Sequence, residues 1–119
     1  MKPLTNIKEF LDRFDSFCDG ELRHVDVISP TTISITLTTQ DKAKDFDWVS
    51  ITLEFSGVSD ALLLENKKLN LVDMSNGISI IKENNLFYFG IGRCKNISNI
   101  KTSTCHTESL SIKYKQGTF

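Results

Sequence analysis

Thr32-Ile33-Ser34-Ile35-Thr36-Leu37-Thr38 alternates apolar and hydroxyl side chains without a break. Successive strand residues point to opposite faces, so this period of two predicts a strand with Ile33, Ile35 and Leu37 buried and a threonine row on the other side. The pattern returns after a charged loop, Gln40 to Asp47, in a strand from Trp48 to Phe55 with Val49, Ile51, Leu53 and Phe55 inward. Upstream, Leu22 to Ser29 reads as a further strand with Val25 and Val27 on one face.

Farther along the chain the signals shorten. Asp60 to Asn66 is a helical turn or an edge segment. Leu69 to Asp73 and Ile78 to Lys82 flank an Asn76-Gly77 pair, which predicts a hairpin. Glu83-Asn84-Asn85 marks another turn. Leu86 to Ile91 is continuously apolar and reads as a central strand buried on both faces. Residues 95–108 form a long polar loop with at most a short strand, and Leu110, Ile112 and Tyr114 close the sheet by alternation.

Before all of these comes one helix. Asn6 is its N-cap and Glu9 the reciprocal partner of a capping box. Ile7, Phe10, Leu11, Phe14 and Phe17 form an apolar stripe at helical spacing, and Gly20 is expected to supply the left-handed stop. Composition agrees: 119 residues contain two alanines against twelve Ile, five Val, eleven Thr and eight Phe. A chain so poor in the best helix former and so rich in β-branched and aromatic residues is mostly sheet. The expected fold is α+β, a single domain over 1–119, with one N-terminal helix packed on a twisted, mostly antiparallel sheet of about six to eight strands.

The net charge of −1 excludes a strongly basic nucleic-acid binder, but it hides a split. Residues 1–66 carry twelve acids and six bases, giving −6, and residues 67–119 carry three acids and eight bases, giving +5. Opposed surface fields result if the halves stay apart, and a mixed surface results if their strands interleave. Cys18, Cys94 and Cys105 are odd in number and lack C-x-x-C spacing, which suits a reducing cytoplasm. No secretory segment and no apolar run of membrane length is present, so a cytoplasmic protein without membrane contact is expected.

No set of residues assembles a complete catalytic, cofactor or metal motif. Gly90-Ile91-Gly92 lacks the third glycine of a phosphate loop, where Lys95 stands instead. Cys105 and His106 are neighbours and would point to opposite faces of a strand, so with Cys94 they chelate a metal only if a loop gathers them. Cys18 and His24 could form a thiol–imidazole pair and Asp19, Glu21 and Asp26 an acid–base cluster, and a small-molecule or enzymatic site would use Asp19, His24 and Asp26. Trp48 is different. Alternation turns it away from the core, either as an interface anchor or packed under a loop or the Leu62–Leu64 segment. With Asp41, Asp45 and Asp47 around it, and Asp19 and Glu21 at the helix–strand junction, it forms the candidate partner-binding set.

Phe17-Cys18-Asp19-Gly20-Glu21-Leu22, running into Val25 and Val27, resembles the Phe-His-Asp-(Ser/Gly)-x-(Ile/Leu) junction of a group of small immunity proteins. Those proteins belong to bacterial polymorphic-toxin systems of the contact-dependent inhibition type. Val49 to Val58 is similar to the same group's segment of hydrophobic strand, Phe, x, Gly-Val. Cys18 departs from the pattern, where the group has His. The resemblance implies a non-enzymatic protein, without cofactor, that binds and neutralises a toxin domain. An acidic surface would suit a basic toxin such as a nuclease. The alternatives are a small-molecule or enzymatic domain near His24 and a structural homodimer; as an immunity protein the chain would be a monomer or homodimer.

Overall fold

The computed structural model describes residues 1–117. The chain runs β1 (Lys2–Pro3), α1 (Ile7–Arg13), β2 (Glu21–Ser29), β3 (Thr32–Asp41), β4 (Asp47–Ser56), β5 (Asp60–Leu62), β6 (Ile78–Glu83), β7 (Leu86–Ile91), α2 (Ile97–Lys101), β8 (His106–Ser109) and β9 (Ser111–Gly117), with short 3-10 turns at Asp15–Phe17, Lys42–Lys44 and Asn66–Leu71. This is an α+β fold of mostly antiparallel sheet. The strands are divided between two sheets, one in the order β1-β9-β4-β3-β2 and the other β5-β8-β7-β6.

The alternating strands build the core as their period requires. Ile35, Leu37, Ile51, Leu53 and Phe55 are fully buried on the inner face of the first sheet. Phe89 of β7 meets Phe55 across the gap, with ring centroids 5.1 Å apart. α1 and the turn after it cover the same inner face nearer β9, where Phe10 lies 4.9 Å from Tyr114 and 5.2 Å from Phe14. β7 is central and buried on both faces: Phe89 looks toward the first sheet, while Gly90 seats Ile100 of α2 on the other side, where an added Cβ would already touch it at 3.4 Å. Cys105 is completely buried, and that burial pushes its thiol up to about 11.

Several expectations are corrected. The helix ends at Arg13 rather than running through Phe17, because Asp15, Ser16 and Phe17 all adopt positive φ. Gly20 is not the left-handed stop. Asp19 takes that conformation at φ 60°, and Gly20 is required because a Cβ there would fall 2.2 Å from the Thr38 carbonyl oxygen. Asn76-Gly77 makes no hairpin, since residues 66–71 are a 3-10 turn; the tight hairpin is at Asn84-Asn85, between β6 and β7. The polar stretch 95–108 contains α2, capped by the Asn96 side chain accepting from the Asn99 N–H at 2.9 Å. Val27 is 60% exposed although Val25 is buried, because it lies toward the end of edge strand β2, beside a register shift before Ser29. Leu110 is exposed at the β8–β9 corner.

The two halves of the sequence mix only in part. β9 brings Lys113 opposite Glu54 and Lys115 opposite Thr52 in the first sheet, whereas the second sheet is built wholly from residues 60–109. The outer edge of β2 is closed at Val25 by a side chain: Asn66 Oδ1 accepts from the Val25 N–H at 2.8 Å, and its Nδ2 donates to the Val25 carbonyl at 2.9 Å. No helix among the described residues is long and apolar enough to cross a membrane.

Candidate functional site

The β3–β4 connection holds the most unusual local structure. Asp41 ends β3 and the Lys42–Lys44 turn comes next; Asp45 and Phe46 then adopt φ 54° and 64° before Asp47 starts β4. The Phe46 N–H closes the loop on the Asp41 carbonyl at 2.9 Å. The Asn84-Asn85 hairpin has the same pair of φ values, 54° and 64°. Asparagine tolerates that conformation, whereas phenylalanine pays about 1–2 kcal/mol for it. Phe17 also has positive φ, at 62°, but it is fully buried, and burying a Phe side chain contributes about 2–3 kcal/mol, which offsets the strain. Phe46 is 56% exposed, and among the described residues it gains no comparable burial.

Trp48 stands beside it on the outer face of the first sheet, 42% exposed. The Leu62–Leu64 segment belongs elsewhere, since Leu62 lies in β5 of the second sheet. Register gathers the rest of the corner. Trp48 opposes Gln40 on β3, and Glu21 opposes Thr38, two positions away on the same face. Asp45 and Asp47 are exposed in the same hairpin tip, Asp19 is exposed but lies against Met74 rather than beside Trp48, and Glu21 pairs with Arg23 at 3.2 Å. Lys42 and Lys44 are exposed as well, so the two lysines and the two aspartates of the hairpin tip cancel in charge.

Asp41 does not belong to this rim. Its side chain is fully buried and accepts from Arg13 Nε at 2.9 Å, from Arg13 Nη2 at 2.7 Å and from the Ala43 N–H at 2.9 Å. The Arg13 guanidinium, outweighing the burial that opposes ionisation, holds the Asp41 carboxyl below the ordinary carboxylate range. The residue read as a partner contact is therefore the internal anchor of the loop that carries Phe46.

A depressed native pKa stabilises the fold above the unfolded value, near 3.9, and that contribution is lost as pH falls toward the native value. Asp41→Asn is expected to cost about 2 kcal/mol near neutral pH, because the buried charge-assisted pair with Arg13 is lost while the amide oxygen can still accept from the Ala43 N–H. The gap should close only when the pH has fallen below the lowered native pKa, where the wild-type carboxyl is also protonated. Urea unfolding of both proteins across this range measures it, and a gap independent of pH would show that the ion pair contributes nothing.

The other candidates are not assembled. His24 and Asp26 are exposed on β2 and line none of the four surface grooves described in the molecule. Cys18 lies instead in a groove of about 320 Å³ with Arg93 and Cys94. His106 is buried beside Gly90 on β7, and among the described residues no group of three His, Cys, Asp or Glu is placed to hold a metal ion. Phe46 was missed in the sequence, although an aromatic inside Lys42-Ala43-Lys44-Asp45-Phe46-Asp47 is out of place in so polar a loop. Comparison with family models, with curated proteins and with solved structures finds no match to this chain.

Proposed function

We propose that this protein is a binding module whose Phe46–Trp48 corner anchors a protein partner, and that the partner is a toxin domain which it neutralises. The observation that carries the reading is the strained and exposed Phe46, held by a rigid hairpin beside an exposed Trp. Backbone strain without internal compensation marks functional segments, and neighbouring aromatics of this kind are the usual anchors of protein interfaces. The toxin assignment rests on the resemblance of the 17–22 and 49–58 segments to immunity proteins.

Lys42 and Lys44 offset Asp45 and Asp47 at the hairpin tip and Arg23 pairs with Glu21, so the acids of this corner steer a basic partner only weakly, and the aromatic anchors carry the recognition. Co-expression with the product of the adjacent upstream gene tests the reading: that product should be toxic alone and harmless with this protein present. A harmless product, or toxicity that persists, overturns it. Asp45→Lys with Asp47→Lys should slow association by roughly three- to tenfold at low salt and less at high salt. An unchanged association rate would remove the steering role.

A further inference from the structure

We infer that the open edge of β6 pairs with the same edge of a second copy of this chain, across a two-fold axis at Ile80, so that the second sheets of the two copies join into one. The edges of the two sheets are β1, β2, β5 and β6. β1 has two residues, β5 has three, and β2 is capped at Val25 by Asn66. β6 has six residues, and no side chain among the described residues caps its outer side. A long uncapped edge is a template for another strand.

Register shows which backbone groups are open. The Asn84-Asn85 turn leaves Glu83 and Leu86 as the closing pair, and at the other end of the strand the Gly92 N–H donates to the Gly77 carbonyl at 2.8 Å. Bonded and non-bonded pairs alternate in an antiparallel ladder, so Gly77, Ser79, Ile81 and Glu83 aim their backbone groups at β7. Ile91, opposite Ile78, agrees: its N–H donates away from β6, to the Cys105 carbonyl at 3.1 Å. Ile78, Ile80 and Lys82 therefore turn N–H and C=O outward, where no described residue accepts or donates. An antiparallel copy is the complement of such an edge. Ile80 meets Ile80 at the axis, and Ile78 meets Lys82 on either side of it.

Room and charge select this occupant. The groove of about 320 Å³ runs along Ile78 to Ile81, with Leu11, Asp15 and Cys18 across from them and Arg93 also in its lining. Asp15 and Arg93 belong to the Gly77 end of the strand, because Gly77 lies against Ser16 and its carbonyl holds Gly92. Lys82 and Glu83 stand at the other end, Lys82 on the face of Ile80 and Glu83 on the face of Ile81. None of these four charges forms an ion pair among the described residues. The two-fold brings the second copy's Lys82 beside Ile78 and so toward Asp15, and its Glu83 beside Gly77 and so toward Arg93. Each attraction occurs twice. The joined sheet would end on the three-residue β5 of each copy, so association closes at two chains. This contact lies on the second sheet and does not depend on how the Phe46–Trp48 corner is used.

Sedimentation equilibrium of the full chain tests the inference: a monomer–dimer equilibrium with a Kd of about 100 µM or tighter is expected. Lys82→Pro removes an outward N–H and leaves the ladder with β7 whole, so it should weaken dimerisation at least about tenfold while circular dichroism shows the fold kept. Glu83→Arg and Arg93→Glu, both at exposed positions, should each weaken it about three- to tenfold, and the double variant should restore it. A chain still monomeric at about 500 µM overturns the inference. Undiminished dimerisation in folded Lys82→Pro, or a double variant as weak as the singles, does the same. Oligomers that grow beyond two chains overturn the closed two-fold.

Discussion

Replacing Phe46 with glycine is expected to stabilise the fold by about 1 kcal/mol while weakening the partner complex at least about tenfold. The two effects have opposite signs because they arise in different places. At φ 64° a Phe carries conformational strain that glycine lacks, and with 56% of its surface exposed it returns little packing energy to the native state. In a complex the same ring buries its remaining surface against the partner, which is where the strain is offset. Phe46→Asn should behave alike, since asparagine is accepted at the equivalent turn position of the Asn84-Asn85 hairpin. Urea unfolding together with a neutralisation or binding assay measures both halves. A loss of stability greater than about 1 kcal/mol would show that Phe46 is a packing residue, and undiminished binding would remove it from the interface.

Gly77→Ala is the substitution expected to damage the fold most, by about 3–5 kcal/mol. Two costs combine at this position. Its φ of 64° strains any side chain, and an added Cβ would fall 1.9 Å from the Ser16 carbonyl oxygen and 2.9 Å from the Cys18 nitrogen. Those atoms belong to the left-handed segment after α1, which cannot yield easily: the Asp19 N–H is tied to the Met74 carbonyl at 2.8 Å, and Phe17 is sealed in the core. Gly92 provides the comparison. It also has positive φ, 101°, but a Cβ there meets nothing within 4 Å, so Gly92→Ala should cost only about 1–2 kcal/mol. Equal losses in the two variants would mean that the close approach at Gly77 is relieved by movement of the Ser16 backbone.

The legible parts of this fold were those in which one buried face imposes a period. Ile33, Ile35 and Leu37, and Val49 through Phe55, needed no knowledge of their partners to be read as strands. Division into two sheets could not be read in the same way. β4 pairs with β9, with Phe55 opposite Ile112, and pairing over such a separation leaves no local mark. Asn76-Gly77 misled because a turn-forming pair specifies positive φ without fixing the direction the chain then takes; here Gly77 meets the backbone of Ser16 instead of reversing a strand. The site was half visible. Trp48 declared itself by falling on the wrong side of an alternation. Asp41 looked like a surface acid because its burial depends on Arg13, 28 residues earlier. Phe46 is set apart by its backbone angle and exposure together, and a string of residues shows neither.

Asn66 closes one ladder position at the rim of β2, using a single side-chain amide as both donor and acceptor. To a neighbouring molecule, that stretch of strand therefore looks already paired. Beyond it, Val27 and Ile28 remain exposed, the combination of open backbone and apolar surface from which strand-by-strand polymerisation begins. The capped position shortens the free template to a few residues and denies it a continuous register. One amide thus has an expected colloidal consequence: Asn66→Ala should promote association between molecules before it weakens the fold.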